Sequence, residues 1–295
     1  MRIVLAGASG LIGSALKTSL TASGHHVKTL VRNAASGADV DSWDPALGLV
    51  DPNFLADADA VICLSGAGVG DHRWSERYKQ TLLRSRIDTV GTLARSLAEH
   101  GGPRILLSAS AVGYYGDTGD REVDESAGPG NGFLAELCVQ WEAATTPAEA
   151  AGVRVAHLRT GLVLAAEGGL IKRLKPLVQA GVAGKLGSGR QYTPWISLAD
   201  ELAAIEFLLQ HEVCGAVNLT GPAPVRNAEF MATLGRILHR PTVLPTPAFA
   251  LKIALGEFAQ DTLTGQRALP KRLVQAGYHF QHADVESAAR WALQR

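Results

Sequence analysis

A short apolar run, Ile3 to Ala6, breaks into Gly7, Ala8, Ser9, Gly10, Leu11, Ile12 and Gly13. Apolar positions then continue through Ala15, Leu16 and Leu20 at helical spacing up to Gly24. That is a strand, a glycine turn and a helix in immediate succession. In the G-x-x-G-x-x-G pattern the first glycine permits a tight turn and the second lets backbone approach a pyrophosphate. The third brings helix against strand, and the helix N-terminus faces the anion. A glycine-rich turn in an unrelated α/β fold is the plainer explanation; the strand-to-helix context favours dinucleotide binding.

The rest of the N-terminal half repeats the alternation. Strands are expected at Val27 to Val31, Asp59 to Leu64, Arg104 to Ser108 and Val153 to Leu158. Helices are expected from Glu76 to His100, with Leu82, Val90, Leu93 and Leu97 in one stripe, and from Phe133 to Ala144, ending or breaking at Pro147. This pattern predicts an α/β fold, a doubly wound parallel sheet of Rossmann type. Beyond Glu167, glycine turns and collected prolines point to shorter elements on longer connections. The expected division is a nucleotide-binding domain over 1–166, completed by parts of 195–220, and a smaller α+β substrate-facing domain over 167–295.

Two arginines stand out. Nineteen residues past Gly13, where an NAD-preferring site carries an acid for the ribose hydroxyls, the chain has Arg32 and Asn33. A guanidinium there can pair with a 2′-phosphate, which favours NADP; an exposed arginine at a strand end would look the same in sequence. Arg86 falls within the apolar stripe of the long helix, so it needs a cofactor phosphate or a buried carboxylate, or must reach sideways to solvent on its aliphatic stem.

Composition narrows the partners. The 295 residues carry 28 basic and 28 acidic side chains, so no net field draws the chain to nucleic acid or to an acidic membrane surface. The glycines interrupt the apolar N-terminus, and Lys252 breaks the stretch from Pro247 to Ala254, so neither a signal peptide nor a membrane span is expected. Cys63, Cys138 and Cys214 show no metal-ligand or C-x-x-C spacing and are expected to be reduced, buried, cytoplasmic thiols.

These residues resemble the extended short-chain dehydrogenase/reductase superfamily, and within it an atypical branch, the NAD-dependent epimerase/dehydratase or nucleotide-sugar epimerase family with its own C-terminal domain. The carriers are GASGLIG at 7–13, LSGAGV at 64–69, RWSERYKQTLLRSRI at 73–87, SASAVGYYG at 108–116, FLAELCVQWEAA at 133–144 and LRTGLVL at 158–164. GSGRQYTPWISLAD at 187–200 and GQRALPKRLVQAGYHF at 265–280 extend the likeness into the second half. The resemblance implies that Gly7 to Gly13 and Arg32 hold the cofactor's phosphates. It places Leu64, Ser65 and Gly66 near the adenosine, Arg86 at a polar cofactor contact, and Thr160, Leu162 and Val163 beside the nicotinamide.

That superfamily moves protons with Ser or Thr, Tyr and Lys, the lysine lowering the phenol's pKa. Counting back from Glu142, the tyrosine position here is Leu134 and the lysine position Cys138, and neither can substitute. Ser110, Tyr114 and Tyr115 remain as catalytic candidates, with a tyrosine as acid/base and Ser110 orienting a carbonyl. Both tyrosines could equally pack against the ligand and do no chemistry. The function expected is an NADP-dependent oxidoreductase or epimerase of low or specialised activity, acting on a small-molecule hydroxyl or carbonyl, on family grounds that of a nucleotide sugar. The alternative is an NADP-binding redox sensor without turnover. A homodimer fits either.

Weaker signals add little. His279 and His282 are spaced H-x-x-H but lack a third ligand nearby, so no metal site is expected. Ser197 stands where the family carries a histidine after Trp195 and Ile196. Arg190, Arg226, Arg267, Lys271 and Arg272 could meet a diphosphate, although a solvated face accounts for them as well. No G-x-S-x-G elbow supports serine hydrolysis.

Overall fold

The computed structural model describes residues 1–294. In chain order, β1 (Arg2–Ala6), α1 (Leu11–Ala22), β2 (His26–Val31), β3 (Val40–Ser42), α2 (Pro52–Ala56), β4 (Ala60–Cys63), α3 (Glu76–His100) and β5 (Ile105–Ala111) build the first part. There follow β6 (Glu122–Val123), α4 (Phe133–Ala143), α5 (Thr146–Ala150), β7 (Arg154–Thr160), β8 (Leu162–Ala165) and α6 (Gly169–Gln179). The chain continues through β9 (Tyr192–Thr193), β10 (Trp195–Ser197), α7 (Leu198–Gln210), β11 (Gly215–Leu219), β12 (Val225–Arg226), α8 (Asn227–Leu238), α9 (Ala248–Leu255), α10 (Phe258–Leu263), β13 (Arg267–Ala268), α11 (Lys271–Gln275) and α12 (Val285–Gln294).

Seven strands form one sheet in the order β11-β7-β5-β4-β1-β2-β3, every neighbouring pair parallel. The chain runs outward from β1 to β2 and β3, then returns to β4 on the other side of β1. The strand order therefore reverses between β1 and β4, which opens a crevice at their carboxyl ends. This is the doubly wound architecture that the sequence predicts.

Alternation along β1 divides its side chains between two cores. Val4 and Ala6 join Leu82, Val90, Leu93 and Trp141 on the face covered by α3 and α4. Ile3 and Leu5 join Leu16, Leu20, Ile205 and Leu208 on the face covered by α1 and α7. A third core lies apart from the sheet, where Ile171, Trp195, Phe230, Leu234 and Ala289 gather from α6, β10, α8 and α12.

The long helix α3 has the bounds its periodicity predicts. Ser75 caps it by accepting from Tyr78 N at 3.2 Å. One expectation is corrected: Cys63 and Cys138 are buried, but Cys214 is exposed because it lies in the turn between α7 and β11 rather than inside either element. Among the described residues, no helix is long and apolar enough to cross a membrane.

Candidate functional site

The glycine turn lies in the crevice where the strand order reverses. Gly7 has φ of +90°, and a Cβ there would lie 2.7 Å from the carbonyl carbon of Leu64 and 2.8 Å from Ser65 N, at the end of β4. A Cβ on Gly13 would fall onto the Gly7 carbonyl oxygen. Both glycines are thus required by the chain's own packing. Gly10 differs: a Cβ there would meet only Gly7 O, at an ordinary 3.5 Å. Gly10 also starts α1 without a side-chain cap, leaving the first amides of that helix to an outside acceptor. Ser9 and Gly10 are exposed, Ala8, Leu11 and Ile12 half-buried.

Arg32 and Asn33 are exposed just past β2. They share a cavity of about 440 Å³ with Ser42, Trp43, Asp44 and Asp51. Among the described residues the guanidinium has no hydrogen-bond or ion-pair partner, so it is open to an anion, which Asp44 and Asp51 would repel from their side of the cavity.

Arg86 is buried in the stripe formed by Leu82, Val90, Leu93 and Leu97. Its guanidinium donates to Leu82 O at 3.0 Å and Ala67 O at 2.9 Å, and its Cζ lies 5.0 Å from the ring of Trp141. Burial lowers its pKa, partly offset by neighbouring Cys138 and Tyr78. Backbone carbonyls and an indole therefore take the place of the carboxylate that its position in the stripe suggests. A Cβ on Gly66 would come within 3.1 Å of the Arg86 Cζ, so Arg86 also supports the loop after β4 that carries Leu64, Ser65 and Gly66.

Ser110 lies near the end of β5, in register with Arg159 of β7. Its hydroxyl donates to Glu142 Oε1 of α4 at 2.6 Å. Arg159 grips the same carboxylate with two parallel bonds, Nε to Oε1 and Nη2 to Oε2, both 2.8 Å. Its Nη1 donates to the Tyr115 hydroxyl at 2.9 Å, and that hydroxyl donates to Asn218 Oδ1 of β11 at 2.7 Å. Burial works against the Arg159 charge, but the bonds and charge of Glu142 outweigh it and raise its pKa. Tyr115 is 1% exposed; burial raises its phenol pKa despite the neighbouring guanidinium. Tyr114 is half-buried, with Arg159 Cζ 3.4 Å from its ring centre.

The two candidate tyrosines are thus unlike. Tyr115 has its donor and acceptor capacity used in the core, whereas Tyr114 lies under a guanidinium face. Leu134, at the position expected for tyrosine, packs close to Gly113. Cys138, at the lysine position, donates to Ala111 O at 3.7 Å, and burial pushes its thiol up to about 12. It stays an uncharged thiol at neutral pH and cannot hold a ribose as an ammonium does.

Thr160 ends β7, and its hydroxyl lies 2.8 Å from Glu201 Oε1 of α7. The other carboxyl oxygen of Glu201 has no partner among the described residues, and burial pushes this acid up to about 8. Leu162 and Val163, half-buried in β8, follow directly.

Of the five cations offered by the sequence for a diphosphate, four are engaged within the chain. Arg226 pairs with Asp120, Arg267 with Glu122 and Lys271 with Asp124, each at 2.8 Å, and Arg272 donates to Cys214 O. Arg190 gives its carbonyl to Arg226. His282 Nδ1 lies 3.0 Å from Ser197 Oγ and 3.1 Å from Asp200 Oδ2. Both contacts fall on one ring nitrogen, so the imidazole cannot relay a proton between them. The group instead ties the C-terminal segment to the cap of α7.

Sequence reasoning missed Arg159, Asn218 and Glu201. A signal for Arg159 lies in the sequence, since it follows the apolar Leu158 inside a strand expected to be buried, and a buried charge needs a partner.

Comparison with known proteins bears on the family and the fold. The NAD dependent epimerase/dehydratase family matches residues 3–219, and a domain of unknown function, DUF1731, matches residues 246–292. An epimerase family protein of Mycobacterium tuberculosis, MT2273, is 48% identical over 295 residues, covering 99% of this chain and 98% of the relative. The crystal structure of human epimerase family protein SDR39U1 with NADPH superposes with a TM-score of 0.90 at 29% identity, covering 100% of each chain. A nucleoside-diphosphate sugar epimerase from Corynebacterium glutamicum gives a TM-score of 0.81 at 32% identity, covering 99% of this chain and 58% of that one.

Proposed function

The chain belongs to the NAD dependent epimerase/dehydratase family, and from that premise we propose that it binds NADP and acts as an oxidoreductase or epimerase on a hydroxyl or carbonyl. The observation that carries the reading is the contrast within the glycine turn: Gly7 and Gly13 have no room for a Cβ, while Gly10 is open on its outer side. Packing alone explains the first two, and the close approach of a diphosphate explains the third. The human relative's structure with NADPH supports the same cofactor.

In this reading the amides of Gly7 to Gly13 hold the diphosphate, and Arg32 with Asn33 meets the 2′-phosphate. Leu64, Ser65 and Gly66 border the adenosine, with Arg86 supporting their loop. Thr160, Leu162 and Val163 border the nicotinamide. Bound there, the cofactor supplies a hydride acceptor or donor. Ser110 contacts the reacting oxygen and Tyr114 serves as acid/base, a role the core position of Tyr115 makes less suitable. Residues 1–166, with parts of 195–220, form the nucleotide-binding domain, and 167–295 cover a small-molecule substrate. The Corynebacterium relative's name supports a nucleotide sugar, and the ion pairs of Arg226, Arg267 and Lys271 would have to open to reach its diphosphate. A cytoplasmic protein, alone or as a homodimer, fits this role.

A second reading is a redox sensor that binds NADP without turnover. Leu134 and the uncharged Cys138 favour it. Absorbance at the nicotinamide band, with a panel of sugar nucleotides and small carbonyls, separates the two. Substrate-dependent hydride transfer that Tyr114→Phe abolishes supports the enzyme, and tight binding with no turnover across the panel supports the sensor.

A further inference from the structure

Ser110 has one proton to donate, and the structure commits it. The hydroxyl points at Glu142 Oε1 over 2.6 Å. Glu142 cannot readily turn away, because Arg159 holds both its oxygens in a bidentate grip. Arg159 is fixed in turn by the Tyr115 hydroxyl and by the ring of Tyr114, and Asn218 locks Tyr115 from β11. The pair is well buried, with side chains 5% and 12% exposed, so water offers little competition for the carboxylate. A hydroxyl that donates to a fixed anion has only lone pairs left. It can accept another hydrogen bond but cannot give one.

We propose that Glu142, held by Arg159, is a positioning residue that fixes Ser110 as a hydrogen-bond acceptor, so that this position selects a substrate presenting a hydroxyl over one presenting a bare carbonyl oxygen. The inference rests on the reading that Ser110 contacts the substrate. It changes what that contact recognises: a carbonyl oxygen would face lone pairs, whereas an alcohol would donate into them. Donation to a carbonyl then falls to Tyr114.

Neutron diffraction from crystals of the full chain saturated with NADP⁺ locates the Ser110 hydroxyl deuteron without requiring turnover. The expected deuteron lies on the line from Oγ to Glu142 Oε1, and one directed away from Glu142 overturns the proposal. Ligand-observed NMR on the same complex then compares cyclohexanol with cyclohexanone. The alcohol is expected to bind about tenfold more tightly, the worth of one hydrogen bond. The preference should vanish in Ser110→Ala, which has no lone pair to offer, and in Glu142→Ala that still folds, where the serine proton is free to turn to the ligand. Equal affinities in the unaltered protein overturn the proposed selection. If Ser110→Ala leaves both affinities unchanged while the deuteron still points at Glu142, the placement of substrate at Ser110 is what fails.

Discussion

The glycine turn after β1 and the cluster around Ser110 lie at the carboxyl ends of the same sheet, yet they are built oppositely. The turn is backbone: two glycines pressed against neighbouring main chain and one left open, with uncapped helix amides behind them. The cluster is side chain: Ser110, Glu142, Arg159, Tyr115 and Asn218 follow one another in an unbroken run of bonds that leaves the Ser110 lone pairs at its end. An open backbone cradle suits a ligand common to many reactions, whereas a run of mutually fixed side chains sets the geometry for one. The Leu134 and Cys138 departures fall wholly in the second region.

Removing packing from the first region should have the largest effect. Gly13→Ala forces a methyl onto the Gly7 carbonyl, and we expect a loss above about 4 kcal/mol or failure to fold, read by thermal unfolding. Gly10→Ala should keep the melting temperature but lose cofactor affinity by an order of magnitude or more. Equal damage to stability from both would erase the distinction between a structural and a ligand-facing glycine.

In the second region, Glu142→Ala leaves the Arg159 guanidinium buried without its carboxylate. A destabilisation of about 3–5 kcal/mol is expected in denaturant titration. A cost below about 1 kcal/mol would mean that the network is looser than its distances indicate.

Glu201 gives a pH-dependent test. Its pKa rises from the ordinary 4.5 to about 8 on folding, so the unfolded chain releases this proton first as pH increases. The stability tied to it is full below about 4.5 and is lost as pH rises through 8. Melting curves from pH 5 to 9 should therefore show Glu201→Gln gaining on the unaltered protein toward alkaline pH, and parallel profiles would contradict the burial argument.

The turn was legible because glycine is itself a signal: its spacing shows in the letters, and the strand and helix on either side confirm it. The stripe of α3 was legible for the same reason, periodicity being local. Partners distant in sequence were not. Arg86 was marked as a charge in an apolar stripe, but its acceptors are carbonyls of Leu82 and Ala67, which carry no residue-type signal. Glu142 served to count register, while its bond to Arg159 depends on β7 lying beside β5 and beneath α4, a product of topology rather than spacing. Cys214 is exposed against expectation because cysteine composition carries no signal for which residues fall in a turn.

The smallest expected effect concerns cofactor choice. Arg32→Ala should weaken NADPH binding about tenfold and leave NADH nearly unchanged, as expected for one charge-assisted contact to a single phosphate. Loss of both affinities alike would assign Arg32 to the fold of the turn rather than to discrimination.

We propose that the backbone around Gly10 holds a pyridine dinucleotide. Isothermal titration calorimetry on purified, nucleotide-free protein tests it directly. Saturable heat is expected with NADPH, weaker heat with NADH, and NADPH affinity lower by an order of magnitude or more in Gly10→Ala that still melts normally. No heat with either nucleotide in the unaltered protein would contradict it.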